Sequence, residues 1–248
     1  DFAGGAAIHI NAGVAALAVV LVIGNRLGHG AEPMPPHNLP YTVLGTGILW
    51  FGWMGFNAGS ALAASGVAAQ AVVNTHLAAA AGMLGWLLIE RRIAGHATTL
   101  GAASGAVAGL VAITPCAGFV GGASPLIIGG IAGVLCYAAL QLKAKFNFDD
   151  SLDVIAVHLI GGLIGPILLG LLADTSVNDG GVDGLFYGGG AELLIDQTVA
   201  ALAVMAYSFV VTFIIAKVID GTMGLRIDEA AERVGRDQRQ HAESADQA

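Results

Sequence analysis

Runs of about twenty mostly apolar residues, separated by short polar breaks, fill nearly the whole chain. Seven runs can be counted, at roughly 3–24, 40–63, 67–89, 98–116, 124–143, 153–173 and 194–218. A helix that crosses a bilayer needs about 20 such residues, so each run predicts one span. The fourth is the least distinct, because Gly and Ala dominate it. Strict polar–apolar alternation, the mark of a membrane β-barrel, is absent. The pattern therefore predicts an all-α, polytopic membrane helix bundle. The transmembrane part covers residues 1–219 and a polar tail covers 220–248. A Pro-rich break lies at 30–40, and a Gly- and Asp-rich one at about 174–193.

Composition sharpens this picture. Apolar residues make up 56% and charged residues 11% of the chain, against about 45–50% and about 25% in an ordinary soluble domain. The expected environment is a lipid bilayer. The net charge of −8 and the lack of a basic stripe exclude nucleic acid as a partner. Cys116 and Cys136 lie in apolar runs and read as buried packing residues rather than a disulfide framework. Phosphate loops, zinc-type Cys/His spacings and nucleophile motifs are missing, so no cofactor, metal site or enzymatic activity is expected. The 37 glycines predict close helix packing, with Gly101, Gly105 and Gly109 forming one smooth face. The chain opens without Met, directly before an apolar run, and reads as part of a longer protein.

Charge also orients the bundle. All ten Lys and Arg residues follow or end the first, third, fifth or seventh run. Positive loops stay on the cytoplasmic side, so the tail is expected in the cytoplasm and Asp1 outside.

Ionisable groups within spans are costly and are functional candidates by default. These are His9, His76, Asp153, His158, Glu192 and Asp196. His9 and His158 lie inside runs one and six. With both runs read as heading inward, they are expected on parallel helices in the outer half to middle of the membrane. Two like charges there would repel in low dielectric, so a neutral pair is expected. Two neutral rings can share one N–H···N bond and still offer polar atoms to a small solute. Two unrelated packing histidines fit the pattern as well. His76 reads as a packing residue. Late in run two, Trp50, Phe51, Trp53 and Phe56 cluster, and Trp53, Phe56 and Ser60 share a helix face. Either an interface belt or a pore lining that attracts cations would use them.

Three segments resemble the signatures of the ammonium transporter (Amt) family. They are Asp1-Phe-Ala-Gly-Gly-Ala-Ala-Ile-His9-Ile-Asn-Ala-Gly13, Trp50-Phe-Gly-Trp53-Met-Gly-Phe56-Asn57-Ala-Gly-Ser60 and Phe148-Asp-Asp-Ser-Leu-Asp153-Val-Ile-Ala-Val-His158-Leu-Ile-Gly-Gly162. The resemblance spans all seven runs and reaches Gly224-Leu225-Arg226, so the chain looks like the last seven of the family's eleven spans, with the amino-terminal ones missing. It implies ammonium or ammonia as substrate and a cell-membrane location. It also implies a homotrimer with one pore per protomer, and a PII-type regulatory protein at the cytoplasmic face. His9 and His158 match the family's pore-lining twin histidines, and Phe56 matches the inner gate phenylalanine. Trp53, Ser60 and Asp1 match positions at the outer mouth that help recruit the cation.

Some positions depart from the family pattern. Ile155 stands where Phe is usual, and Leu159 where Gly is usual, both flanking His158. The tail reads Gly235-Arg236-Asp237-Gln-Arg-Gln-His241-Ala242-Glu243, unlike the common Gly-Leu-Asp and His-Gly-Glu pattern, which weakens the expectation of tail-mediated regulation. Three rivals share the resemblance: a Rhesus-type gas channel, an ammonium sensor, and a truncated remnant acting through full-length subunits.

Overall fold

The computed structural model describes residues 1–244; the last four residues of the expected tail, 245–248, lie outside them. Seven long helices occupy the seven apolar runs. They are α1 (Gly5–Ile23), α2 (Leu39–Gly59), α3 (Gly66–Ala94), α4 (Thr99–Ile113), α5 (Ser124–Phe146), α6 (Ile155–Leu172) and α7 (Glu192–Thr222). A short α8 (Glu229–Val234) lies in the tail, and the described residues contain no strand. Five of these helices, α1, α3, α5, α6 and α7, are long and apolar enough to cross a membrane by themselves. Thr, Asn, Gly and Trp dilute α2, and α4 has 15 residues. The protein is a multi-pass membrane helix bundle.

Local chemistry sets the helix ends. Asn38, Ser65 and Thr98 each accept a backbone N–H from the first turn of α2, α3 and α4. Gly95, with φ 84°, closes α3 in a conformation that a Cβ would disfavour. Pro115 cannot donate to the α4 ladder, and α4 stops at Ile113 rather than at the expected 116. The carbonyls freed there are used: Ala3 N–H donates to Thr114 O at 3.2 Å and Phe2 N–H to Pro115 O at 3.0 Å. The end of α4 thereby anchors the start of α1.

Small residues fix the packing. On α4, Gly101, Gly105 and Gly109 face Glu90, Trp86 and Ala78 of α3, as a smooth face requires. A Cβ on Gly109 would stand 2.1 Å from Ala78 O, so a side chain there would force α3 and α4 apart. Cys116 and Cys136 are buried as free thiols.

One expectation fails. Gly13 of α1 meets the backbone of Leu159, whereas Gly162 of α6 meets that of Ile10. As the chain advances along α1 its partners recede along α6, so these helices are antiparallel. Alternation of the seven expected spans already requires this, because runs one and six differ by an odd number of crossings. The expected parallel arrangement is thereby overturned.

Candidate functional site: the crossing of α1 and α6

The first turn of α1, Gly5–Ile10, is wound as a π-helix, and so is the first turn of α6, Ile155–Leu159. Such wide turns re-aim side chains and recur at functional sites. Each carries one of the two histidines. A carboxylate holds each turn at its start. Asp1 accepts the N–H groups of Gly4, Gly5, Ala6 and Ala7 at 3.1, 2.5, 2.9 and 3.4 Å. Buried Asp150 accepts Ile155 N–H at 2.7 Å.

Reciprocal glycines set the separation of the turns. Four residues after His9 comes Gly13, where a Cβ would lie 2.4 Å from Leu159 N. Four residues after His158 comes Gly162, where a Cβ would lie 2.9 Å from Ile10 N. Each glycine thus admits the backbone beside the other helix's histidine. The result is a His9 Nδ1 to His158 Nδ1 distance of 3.1 Å, a hydrogen bond between the rings.

His9 is 4% exposed. Its Nε2 lies 3.4 Å from Thr114 Oγ1, and its ring stacks on Trp53 at 5.2 Å with 16° between the planes. Trp53 Nε1 donates to the same Thr114 oxygen at 3.0 Å. The Phe56 ring lies 6.1 Å from His9 and 5.6 Å from Trp53, and Phe56 is 39% exposed. Ser60 ends α2 and donates to Phe56 O at 2.8 Å. The aromatic cluster therefore splits. Trp53 and Phe56 face the histidines, while Phe51 points out of the bundle, 81% exposed.

The structure brings His9, His158, Trp53 and Phe56 together, with Ser60 one turn beyond Phe56. Trp53, expected at an outer mouth, is instead 7% exposed and stacked in the interior. Asp1, expected beside it, has both carboxylate oxygens committed to the α1 turn. Sequence reasoning missed Thr114, which joins Trp53 to His9. Its signal was a hydroxyl directly before Pro115 at the end of an apolar run.

Beyond His158 opens a cavity of about 1000 Å³. Its wall runs from His158 past Asp153 and Lys143 to Arg26, His29 and His37. Lys143 Nζ donates to Asp153 Oδ1 at 2.6 Å and to Asp150 O at 2.8 Å. Burial pushes the Asp153 carboxyl above its usual range, against the opposing pull of Lys143. Farther out, Arg26 grips Asp149 through two 2.7 Å bonds. This holds the Asp149 carboxyl down at about 2. Glu232 of α8 accepts Leu27 N–H at 2.7 Å and pairs with Arg226 at 3.0 Å. Among the described residues, no group of three His, Cys, Asp or Glu is placed to hold a metal ion.

The bundle thus holds a bonded imidazole pair with aromatic rings against His9 and an open cavity at His158. The family is then defined by comparison: the Ammonium Transporter Family model matches residues 1–246, and the chain belongs to that family. It is 55% identical over 249 residues to an ammonium transporter of Mycobacterium tuberculosis, covering 98% of this chain and 52% of that protein. It is 50% identical over 246 residues to one of Bacillus subtilis, covering 99% of this chain and 60% of that protein. The chain thus spans little more than half the length of these curated relatives. The fold matches the crystal structure of Candida albicans Mep2 with a TM-score of 0.86 at 39% identity, over 93% of this chain and 53% of that one. It also matches a structure titled Sensor Amt Protein with a TM-score of 0.87 at 29% identity, over 97% of this chain and 60% of that one.

Proposed function

We propose that this chain forms the histidine-bearing part of an ammonium transporter of the cell membrane. The observation that carries the reading is the 3.1 Å bond between His9 and His158, flanked by Trp53 and Phe56 on one side and the cavity on the other.

Ammonium is drawn to aromatic faces by cation–π attraction, and Phe56 presents such a face beside the Ser60 hydroxyl. Moving the intact ion onward would strip its hydration in a medium of low dielectric, at a cost of several kcal/mol or more. Transfer of one proton to the imidazole pair, which relays it separately, leaves ammonia, a small neutral molecule that both donates and accepts hydrogen bonds. The imidazole pair suits it, and the cavity beyond His158 receives it. Trp53 acts as the stacking wall of His9. Asp1 serves recruitment indirectly, by fixing the turn that carries His9.

The wider assembly follows the family. All seven helices cross the membrane, residues 1–219 form the transport domain, and the 220–248 tail lies in the cytoplasm. The working unit is a homotrimer, with a PII-type protein as regulator at the tail face. Replacing His158 with Ala in the native membrane protein that carries this sequence tests the reading. In proteoliposomes, the current evoked by ammonium should vanish or fall at least about a hundredfold, as when a group that positions the reacting molecule is removed. An unchanged current rejects it. Uptake without current in the unaltered protein would favour a gas channel.

A further inference from the structure

The two histidines have been treated so far as equivalent, but their hydrogen-bond partners are not. Thr114 Oγ1 has one hydrogen to give and two lone pairs to receive. Its hydrogen goes to Leu110 O at 2.7 Å, the back-bond typical of a helical threonine. One lone pair receives the indole N–H of Trp53 at 3.0 Å, a group that can only donate. What remains toward His9 Nε2, at 3.4 Å, is a lone pair. Turning the hydroxyl toward His9 would exchange a 2.7 Å bond for one of 3.4 Å, and hydrogen bonds weaken over that range.

We infer that Thr114 is a positioning residue that fixes the tautomers of the pair: it holds the proton of His9 on Nε2, so that His158 carries its proton on Nδ1 and turns a bare Nε2 to the substrate. A neutral imidazole has a single N–H. If His9 spends it on Thr114, its Nδ1 is an acceptor. The 3.1 Å contact between the rings is then made by His158 Nδ1–H donating to His9 Nδ1. His158 Nε2 is left as an acceptor with no bond to the described residues, on a residue that borders the cavity. Every donor in the row points the same way, from His158 to His9 to Thr114 to the Leu110 carbonyl.

This makes the pair asymmetric in use. A molecule with N–H bonds, or a proton, meets the acceptor at His158 Nε2. Protonation there keeps the bond between the rings, because Nδ1–H still donates. Protonation of His9 at Nδ1 would remove the acceptor that this bond needs. The inference deepens the transport reading and rests on it for the identity of the substrate, but the tautomers can be read without any transport.

Solid-state nitrogen NMR of histidine-labelled native protein in lipid, with the resonances assigned by site, is the direct test. The expected spectrum has His9 protonated at Nε2 only and His158 at Nδ1 only. The opposite assignment overturns the inference. Thr114→Val, which keeps the shape and loses the hydroxyl, should show both tautomers. Its ammonium flux should fall about tenfold, the low end for losing a partner that orients a functional histidine. Thr114→Ser should keep the native spectrum and flux. A native spectrum in Thr114→Val also overturns the inference, whatever its flux. Should the unaltered protein show the expected tautomers yet move no ammonium, the transport reading fails and the role of Thr114 stands.

Discussion

The α1–α6 crossing and the Arg26 end of the bundle solve the problem of placing polar groups in opposite ways. At the crossing two imidazoles, one hydroxyl and an indole N–H join in one row of hydrogen bonds, and the Asp1 and Asp150 carboxylates bond only backbone N–H groups of the two turns. At the other end, charged groups meet in direct pairs: Arg26 with Asp149, Lys143 with Asp153, and Arg226 with Glu232. These pairs tie loops and tail together, with buried Asp149 compensated by the half-exposed Arg26. In the interior, an unpaired charge would cost far more than a neutral polar group. The ionic pairs Lys143–Asp153 and Arg26–Asp149 lie along the cavity beyond His158.

The comparison breaks most severely where the helices touch. Gly13→Ala would place a methyl 2.4 Å from Leu159 N, closer than real contacts allow. The backbones must separate, at about 1–3 kcal/mol of stability, and the ring nitrogens must lose their 3.1 Å contact. Both melting temperature in detergent and ammonium uptake should drop; a variant with native melting and uptake would remove the glycine from the account. A smaller effect is expected of Trp53→Phe, which keeps a ring on His9 but deletes the N–H bonded to Thr114. One buried hydrogen bond is worth about 1 kcal/mol, so melting should shift modestly while uptake falls more than stability does.

Titration probes the charged end. The Asp149 carboxyl sits at about 2 beside Arg26, below its unfolded value of about 3.9. A depressed carboxyl stabilises the fold above the unfolded value, and that contribution disappears as pH falls through about 2. Arg26→Ala should therefore flatten the loss of stability between about pH 4 and pH 2, read as melting temperature against pH. An undiminished slope would mean that other carboxylates dominate there. The smallest effect is expected at Glu232, a half-buried group bonded to Leu27 N–H and Arg226. Glu232→Gln should leave melting unchanged and speed proteolytic cleavage before α8; equal cleavage would show that this contact does not hold the tail.

Much of this was legible in the residues. The seven runs became seven helices because apolar length needs no partner to be read. The motifs around His9, Phe56 and His158 named the residues that the fold brings together. What escaped depends on long-range geometry. Asp1 looks like a mouth residue until its oxygens are seen on the amides of its own helix start. Trp53 and Phe56 share a face with Ser60, but only the tertiary fold decides that Trp53 lies under His9. Thr114 is separated from His9 by 105 residues, and nothing local to either announces their contact. The antiparallel direction of α1 and α6, by contrast, follows from counting the runs between them.

The central claim is that His9 and His158 work as one unit. Ammonium flux of His9→Ala, His158→Ala and the double variant, compared in the same lipid, tests it most directly. Groups that act together are strongly non-additive, so the double variant should lose little more than either single one. Losses that multiply would mean two independent histidines and would contradict the account.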